Sequence, residues 1–395
     1  MKRVFCMIVT FALVLALTPS GAFAEKPLDI DAGKASAALL INVETGRVLF
    51  EKDPNLSVEA AGLRRLPALL TVCAAFDEGL LSEESTVTVA DEAARIRGTT
   101  AFLSSNERIE AGSLLKAAVM LTAGDAVFAL LCAAYHSEAG ALEAVNERLS
   151  LLGITPVENS MGEGRLFTLT ELASICMELV KSEAYLKYSS LYTDTLTHEN
   201  AKPTELTNPN RLVRHYSGCF GLATGSVGAS QYSAAVIAKR GSATFLALAA
   251  GLPDSASRFA LITDMLDTGF ASYRVVSIGS RGESFGTVNV AGGAIGSIDA
   301  VLSDEAMILL PVNDTKIIRE PSLPEEVEAP LEEGAEIGRL IVKNSSDDVL
   351  AEIPLTASGA VKRASFADEF LKLARDWIHS SGEVKEDRSD SVQAP

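Results

Sequence analysis

The sequence predicts an α/β protein in which an antiparallel sheet is flanked by helices. A small all-β domain and a terminal amphipathic helix follow. Three observations carry this. Two short apolar runs flank a turn near residue 45. Long apolar segments recur at helical spacing between residues 67 and 182. From residue 287 the pattern changes to short strands at regular intervals.

At 395 residues the chain is long enough for two or three domains and a sizeable core. A 48% hydrophobic content argues for a folded chain. The net charge of -18 excludes nucleic acid as a partner, because phosphate binding needs a basic face. It also disfavours electrostatic docking on anionic lipid.

The first residues read as a secretory signal peptide over 1–24. Lys2 and Arg3 precede an uncharged apolar run, and Ala22-Phe23-Ala24 is a small-x-small cleavage site. The alternative, a membrane anchor, is disfavoured by the shortness of that run. Export with cleavage after Ala24 is therefore expected. Four cysteines remain beyond the signal: Cys73, Cys132, Cys176 and Cys219. Three lie in apolar, helix-like runs, so buried thiols are favoured over disulfides. No C-x-x-C occurs and the histidines are scattered, so neither a metal nor a cofactor is expected.

The elements follow in order. Ala37-Ala38-Leu39-Leu40-Ile41-Asn42-Val43 is a buried strand, Glu44-Thr45-Gly46-Arg47 a turn, and Val48-Leu49-Phe50 the returning strand. Residues 67–80 form a strongly apolar helix. Pro67 belongs in a first turn, so this helix starts near Leu66. Residues 86–89 alternate as a strand. Two helices fill 109–135, with a break at Thr122-Ala123-Gly124-Asp125. Helices are expected over 141–152, over 170–182 with Thr170 as cap, and over 257–270. Residues 234–238 and 244–248 look like paired strands. A glycine- and serine-rich linker at 279–286 separates the first domain, 25–278, from the β domain, 279–363. An acidic, proline-rich connector spans 321–330. The helix at 364–379 carries Phe366, Phe370, Leu373 and Trp377 on one face. Packing on protein and peripheral membrane contact are both open for it. The polar residues 380–395 read as a disordered tail.

This order of elements resembles the serine D-Ala-D-Ala carboxypeptidases, the low-molecular-mass penicillin-binding proteins, over residues 34–378. Thr45-Gly46-Arg47-Val48-Leu49 matches the family's opening hairpin. Leu114-Leu115 with Ala123-Gly124-Asp125-Ala126 matches the neighbourhood of its S-x-N-D motif. Asn210-Arg211-Leu212 followed by Gly221-Leu222-Ala223-Thr224-Gly225 matches the approach to K-T-G. The resemblance implies the penicillin-recognising fold.

The chemistry departs from the family. Where the resemblance places the serine nucleophile and its lysine base, this chain has Gly62 and Arg65. Glycine cannot be acylated, and arginine stays protonated. The second motif becomes Thr122-Ala123-Gly124, without its amide side chain. The third becomes Ala223-Thr224-Gly225, without its lysine. No catalytic residue is expected intact. A binding role remains conceivable: Arg64, Arg65 and Thr224 to hold a carboxylate, Thr122 to offer a hydroxyl, and backbone groups near Gly62, Gly225 and Ser226 to face the old oxyanion position. Ser113-Leu114-Leu115-Lys116 and Ser104-Ser105-Asn106 repeat the motif letters, but in reverse order and close together.

The expected function is therefore that of an exported pseudoenzyme binding peptidoglycan stem peptide or an envelope protein. Two alternatives stay open. One is a working carboxypeptidase with an atypical nucleophile, Ser113 or Thr122. The other is a structural envelope protein acting through its β domain.

Overall fold

The computed structural model describes residues 28–314 and 316–366. The expected signal peptide, residues 367–379 of the expected terminal helix, and the expected tail lie outside the described residues. Contacts divide the chain into two compact units, the first ending at Arg274 and the second starting at Val275.

The first unit opens with β1 (Ala37–Asn42) and β2 (Val48–Lys52), paired antiparallel. Asn42 pins their turn: its Oδ1 accepts from the N–H and hydroxyl of Thr45, and its Nδ2 donates to the Thr244 carbonyl. A 3-10 turn, Ala61–Arg65, runs into α1 (Leu66–Asp77), with Pro67 in its first turn as expected. Next come β3 (Thr86–Thr88), α2 (Asp91–Ala94) and β4 (Arg108–Glu110). The two helices expected over 109–135 are α3 (Ala111–Leu121) and α4 (Gly124–Tyr135). They are followed by α5 (Glu138–Leu151), α6 (Leu169–Leu179) and α7 (Glu183–Ser189). The hairpin β5 (Thr193–Thr197) and β6 (Pro203–Thr207) precedes the one-turn α8 (Leu212–His215). The unit ends with β7 (Thr224–Val227), β8 (Gln231–Arg240), β9 (Ala243–Leu252) and α9 (Ser255–Ser272).

These strands build one antiparallel sheet in the order β2-β1-β9-β8-β7. Leu39 and Ile41 join the helical core with residues of α1, α4 and α6. Leu40 and Phe245 face Gly269 of α9 on the other side. Both faces of β1 are covered, which is why its sequence reads as an unbroken apolar run. Of the three cysteines expected to be buried from their apolar runs, Cys73 and Cys176 are buried free thiols and Cys132 is a partly buried one; Cys219 is a buried free thiol as well. Burial pushes the Cys219 thiol up to about 11.

Several elements differ in detail from expectation. The cap of α6 is Thr168, not Thr170: Thr168 accepts from Glu171 N–H while the Glu171 carboxylate accepts from Thr168 N–H, a capping box. Serine at 137 caps α5, which starts before residue 141. Hairpin β5–β6 and α7 escaped the pattern analysis. Each hairpin strand buries a single leucine, Leu196 or Leu206, so its apolar alternation is too sparse to register.

The division falls within β10 (Tyr273–Gly279), and the described part of the second unit is otherwise built of β11 (Ser284–Ala291), β12 (Ser297–Val301), β13 (Ala306–Pro311), β14 (Ile318–Ser322), β15 (Glu326–Glu328), β16 (Glu336–Lys343) and β17 (Val349–Ala357). A six-stranded sheet has the order β14-β16-β17-β12-β11-β15, and β10 pairs with β13. The core gathers Val288, Val290, Ile298, Leu340, Val342 and Leu355. The segment 279–286, expected as a linker, is a short turn between β10 and β11. The connector over 321–330 likewise supplies the end of β14 and all of β15.

A buried polar chain ties the β5–β6 hairpin to the segment before β4. His198 Nδ1 lies 2.8 Å from Glu107 Oε1, and its Nε2 lies 2.8 Å from Thr204 Oγ1. Glu107 also accepts from the N–H groups of Ser104 and Glu199. Burial works to raise the Glu107 carboxyl, but these donors and the His198 ring outweigh it and hold it below its ordinary value. A depressed carboxylate contributes stability that is complete above its unfolded pKa of about 4.3 and is lost as pH falls through its folded value. Urea titrations between pH 6 and pH 3 should therefore show stability falling on the acid side, with a shallower fall in Glu107→Gln. Parallel curves for the two proteins would refute the assignment.

Candidate functional site

The site is best built from the 3-10 turn upward. Gly62 sits on that turn, and β7 lies against it backbone to backbone. A Cβ added to Gly62 would meet the Thr224 carbonyl oxygen at 2.6 Å. One added to Gly225 would meet the Gly62 nitrogen at 2.2 Å and the Ala61 Cβ at 2.8 Å. Both distances are far inside van der Waals contact, so this approach requires glycine on each side. The space a nucleophile's side chain would need is filled by the carbonyl of Thr224. Of the backbone groups expected to face an oxyanion, the Gly62 nitrogen lies against Gly225.

Three positions later Arg65 points into the protein, 5% exposed. Its Nη1 donates to the carbonyls of Thr99 (3.0 Å) and Thr122 (3.2 Å), and its Nη2 to that of Arg97 (2.8 Å). A Cβ at Gly124 would lie 2.7 Å from Arg65 Cζ and 2.8 Å from Nη2. The guanidinium therefore occupies the space where the second motif's amide side chain would stand. Burial lowers the Arg65 pKa and Arg64 adds to the shift, while Glu163 and Asp125 oppose it. Guanidinium remains a cation even so.

Asp125, 2% exposed, completes this region. Its carboxylate accepts from Ala101 N–H (2.8 Å) and Leu103 N–H (3.1 Å). It also accepts from Ala126 N–H at the start of α4.

The remaining expected residues scatter around this core. Arg64 lies 3.7 Å from Glu59 and 3.8 Å from Glu163. Thr122 ends α3 in the left-handed region, with its carbonyl turned to Arg65. Ala223 is buried and bonded through its carbonyl to Ala235 N–H. Thr224 and Gly225 are half-buried on β7, and Ser226 is exposed. The structure thus brings Gly62, Thr224 and Gly225 together, and Arg65 with Thr122 and Gly124. It does not assemble Arg64, Arg65 and Thr224 into a carboxylate grip: Arg65 is committed to three carbonyls, and Arg64 faces two acids. Lys116 of the repeated motif letters is committed too, to Thr195 O (2.9 Å) and Asp194 (3.1 Å).

Sequence reasoning missed Arg258 on α9. Its Nη1 donates to the carbonyls of Gly225 (3.0 Å) and Ser233 (3.2 Å), which anchors β7 from behind. Burial pushes its pKa down to about 10. An arginine three residues past a helix's start carries no local signal for such a contact. Among the described residues, no cluster of three or more His, Cys, Asp or Glu could hold a metal. Three surface depressions are lined by other residues: along β5–β6, between α8 and α9, and in the β domain.

A helical core on an antiparallel sheet, followed in the chain by an all-β domain, is the architecture of the penicillin-binding proteins. Residues 22–249 match the family model described as D-alanyl-D-alanine carboxypeptidase, and residues 273–363 match that of the penicillin-binding protein 5 C-terminal domain. The chain belongs to the D-alanyl-D-alanine carboxypeptidase family. It is 29% identical over 389 residues to the D-alanyl-D-alanine carboxypeptidase DacF of Bacillus subtilis (strain 168), covering 95% of this chain and 99% of that one. Its fold is that of penicillin-binding protein 5 from Haemophilus influenzae, at 18% identity and a TM-score of 0.75, over 84% of this chain and 98% of that chain. Penicillin-binding protein 6B from Escherichia coli gives 20% identity and a TM-score of 0.67, over 84% and 97% of the two chains.

Two substitutions probe the packing. Gly225→Ala forces a methyl into the Gly62 backbone and should cost about 1–3 kcal/mol. Arg65→Lys loses the fork that serves three carbonyls and should cost about 1.5–3 kcal/mol. Both are read as shifts in the urea midpoint at unchanged slope. Wild-type midpoints would show that the contacts carry no weight.

Proposed function

We propose that this chain is a non-catalytic member of its family, exported to the cell envelope, where it acts by binding peptidoglycan. The observation that carries this reading is the backbone contact between Gly62 and Gly225. It removes both the nucleophile and the room for one. The replacement of the lysines by Arg65 and Ala223 points the same way. With no acyl acceptor, covalent catalysis of peptide cleavage has no first step. Export rests on the basic, apolar and small-x-small pattern of residues 1–24. No helix among the described residues is long and apolar enough to cross a membrane. An envelope protein partner is the second reading; co-sedimentation of the protein with purified sacculi freed of protein separates the two, and failure to pellet would overturn the peptidoglycan reading.

The test of inactivity is intact mass after incubation with a β-lactam. No adduct is expected on the folded protein, nor on Gly62→Ser, because the Thr224 carbonyl fills the place a serine side chain would take. A stoichiometric mass gain on the wild-type protein would overturn the non-catalytic reading.

A further inference from the structure

A groove of about 610 Å³ runs between α8 and the outer face of α9. Ala256, Ala260 and Asp264 line it as exposed residues, Thr263 is half-buried, and Phe259 is its buried floor. Arg211, just before α8, lays its guanidinium over the Phe259 ring, 4.5 Å from the centroid. Two opposite charges in this groove are unused. Among the described residues, neither Arg211 nor Asp264 makes an ion pair or a side-chain hydrogen bond. The other acid of the groove, Asp267, is engaged: it accepts from the Tyr216 hydroxyl at 2.7 Å and lies 3.5 Å from Arg240. His215 is turned edge-on to Tyr192.

We infer that this groove is a two-fold interface between two copies of this chain. The α9 helices pack antiparallel, and Arg211 of each copy pairs with the partner's Asp264. A surface that meets its own copy about a two-fold axis needs complementary features set apart on one face, so that each is satisfied twice. The groove has them. Arg211 stands at the level of Phe259, and Asp264 lies five residues on, about 7.5 Å along the helix axis. The antiparallel register that sets Phe259 opposite the partner's Asp264 also sets Ala260 opposite the partner's Thr263, and Ala256 opposite the partner's Asp267. These positions all line the groove. Charge pairing and the accessible face of the helix thus select the same register. Alanines at its centre let two helices approach to the 8–10 Å typical of packed helices. Parallel packing would instead set Asp264 against the partner's Asp264, like charge against like. None of these residues belongs to the Gly62 contact, so the interface goes beyond the peptidoglycan reading and does not rest on it.

The experiment is sedimentation equilibrium of the mature protein, residues 25–395. Wild type should show a dimer that weakens as salt is raised. Asp264→Arg and Arg211→Asp each place like charges at both symmetry-related pairs, and each should weaken the dimer at least tenfold. Combining the two reverses both pairs and should recover dimerisation. The two side chains are exposed, so urea midpoints of the single and double variants should stay near wild type, which separates assembly from folding. Ala260→Trp, which fills the groove, should give a folded monomer. A wild-type protein that stays monomeric throughout would overturn the inference. So would a dimer that Asp264→Arg leaves intact, or one that the single changes weaken and the double change does not restore.

Discussion

A buried guanidinium must be surrounded by oxygen, and Arg65 dictates much of what lies around it. Its donors draw three carbonyls from two separate segments, the loop at Arg97 and Thr99 and the end of α3 at Thr122. Its plane leaves no volume for a side chain at residue 124, so Gly124 and Arg65 must occur together. Leaving any of these donors unpaired in the interior would cost more than each bond contributes. The loop and the α3–α4 junction are therefore held as one body. Asp125, next along α4, supplies the opposite charge and takes the loop's N–H groups.

The second constraint is the contact of Gly62 with Gly225. A strand can lie on a turn this closely only if neither carries a Cβ. Arg258 holds the strand from the other side through the Gly225 carbonyl. In a working serine enzyme this space has to stay open, polar and unfilled, which sets stability against activity. Here backbone fills it. Gly62, which has no hydroxyl to offer, is also a residue that permits the contact.

The fold was largely legible in the sequence, because burial writes itself into periodicity. The continuous apolar run of β1, the break at residue 122 and the proline at the head of α1 each follow from a local rule. What escaped was built from sparse or distant contacts. Hairpin β5–β6 buries one leucine per strand and is fastened by His198 and Glu107, which are 91 residues apart. The site divides in the same way. That positions 62, 65, 124 and 223 carry glycine, arginine, glycine and alanine is plain from the sequence. What those residues do in the fold could not be read. Whether an arginine meets solvent, an acid or a ring of carbonyls depends on the path of chain far away, and Arg65 and Arg258 both spend their charge on backbone.

Arg65 finds three carbonyl acceptors, and glycine at residue 124 is the one residue type that makes room for its guanidinium. The same guanidinium braces the loop that holds Phe102 at positive φ. Strain of that kind persists only where the surroundings over-determine it, and here they do so through a buried carboxylate and a buried guanidinium cation, Asp125 and Arg65. A buried cation and a buried carboxylate between them set the position of a backbone.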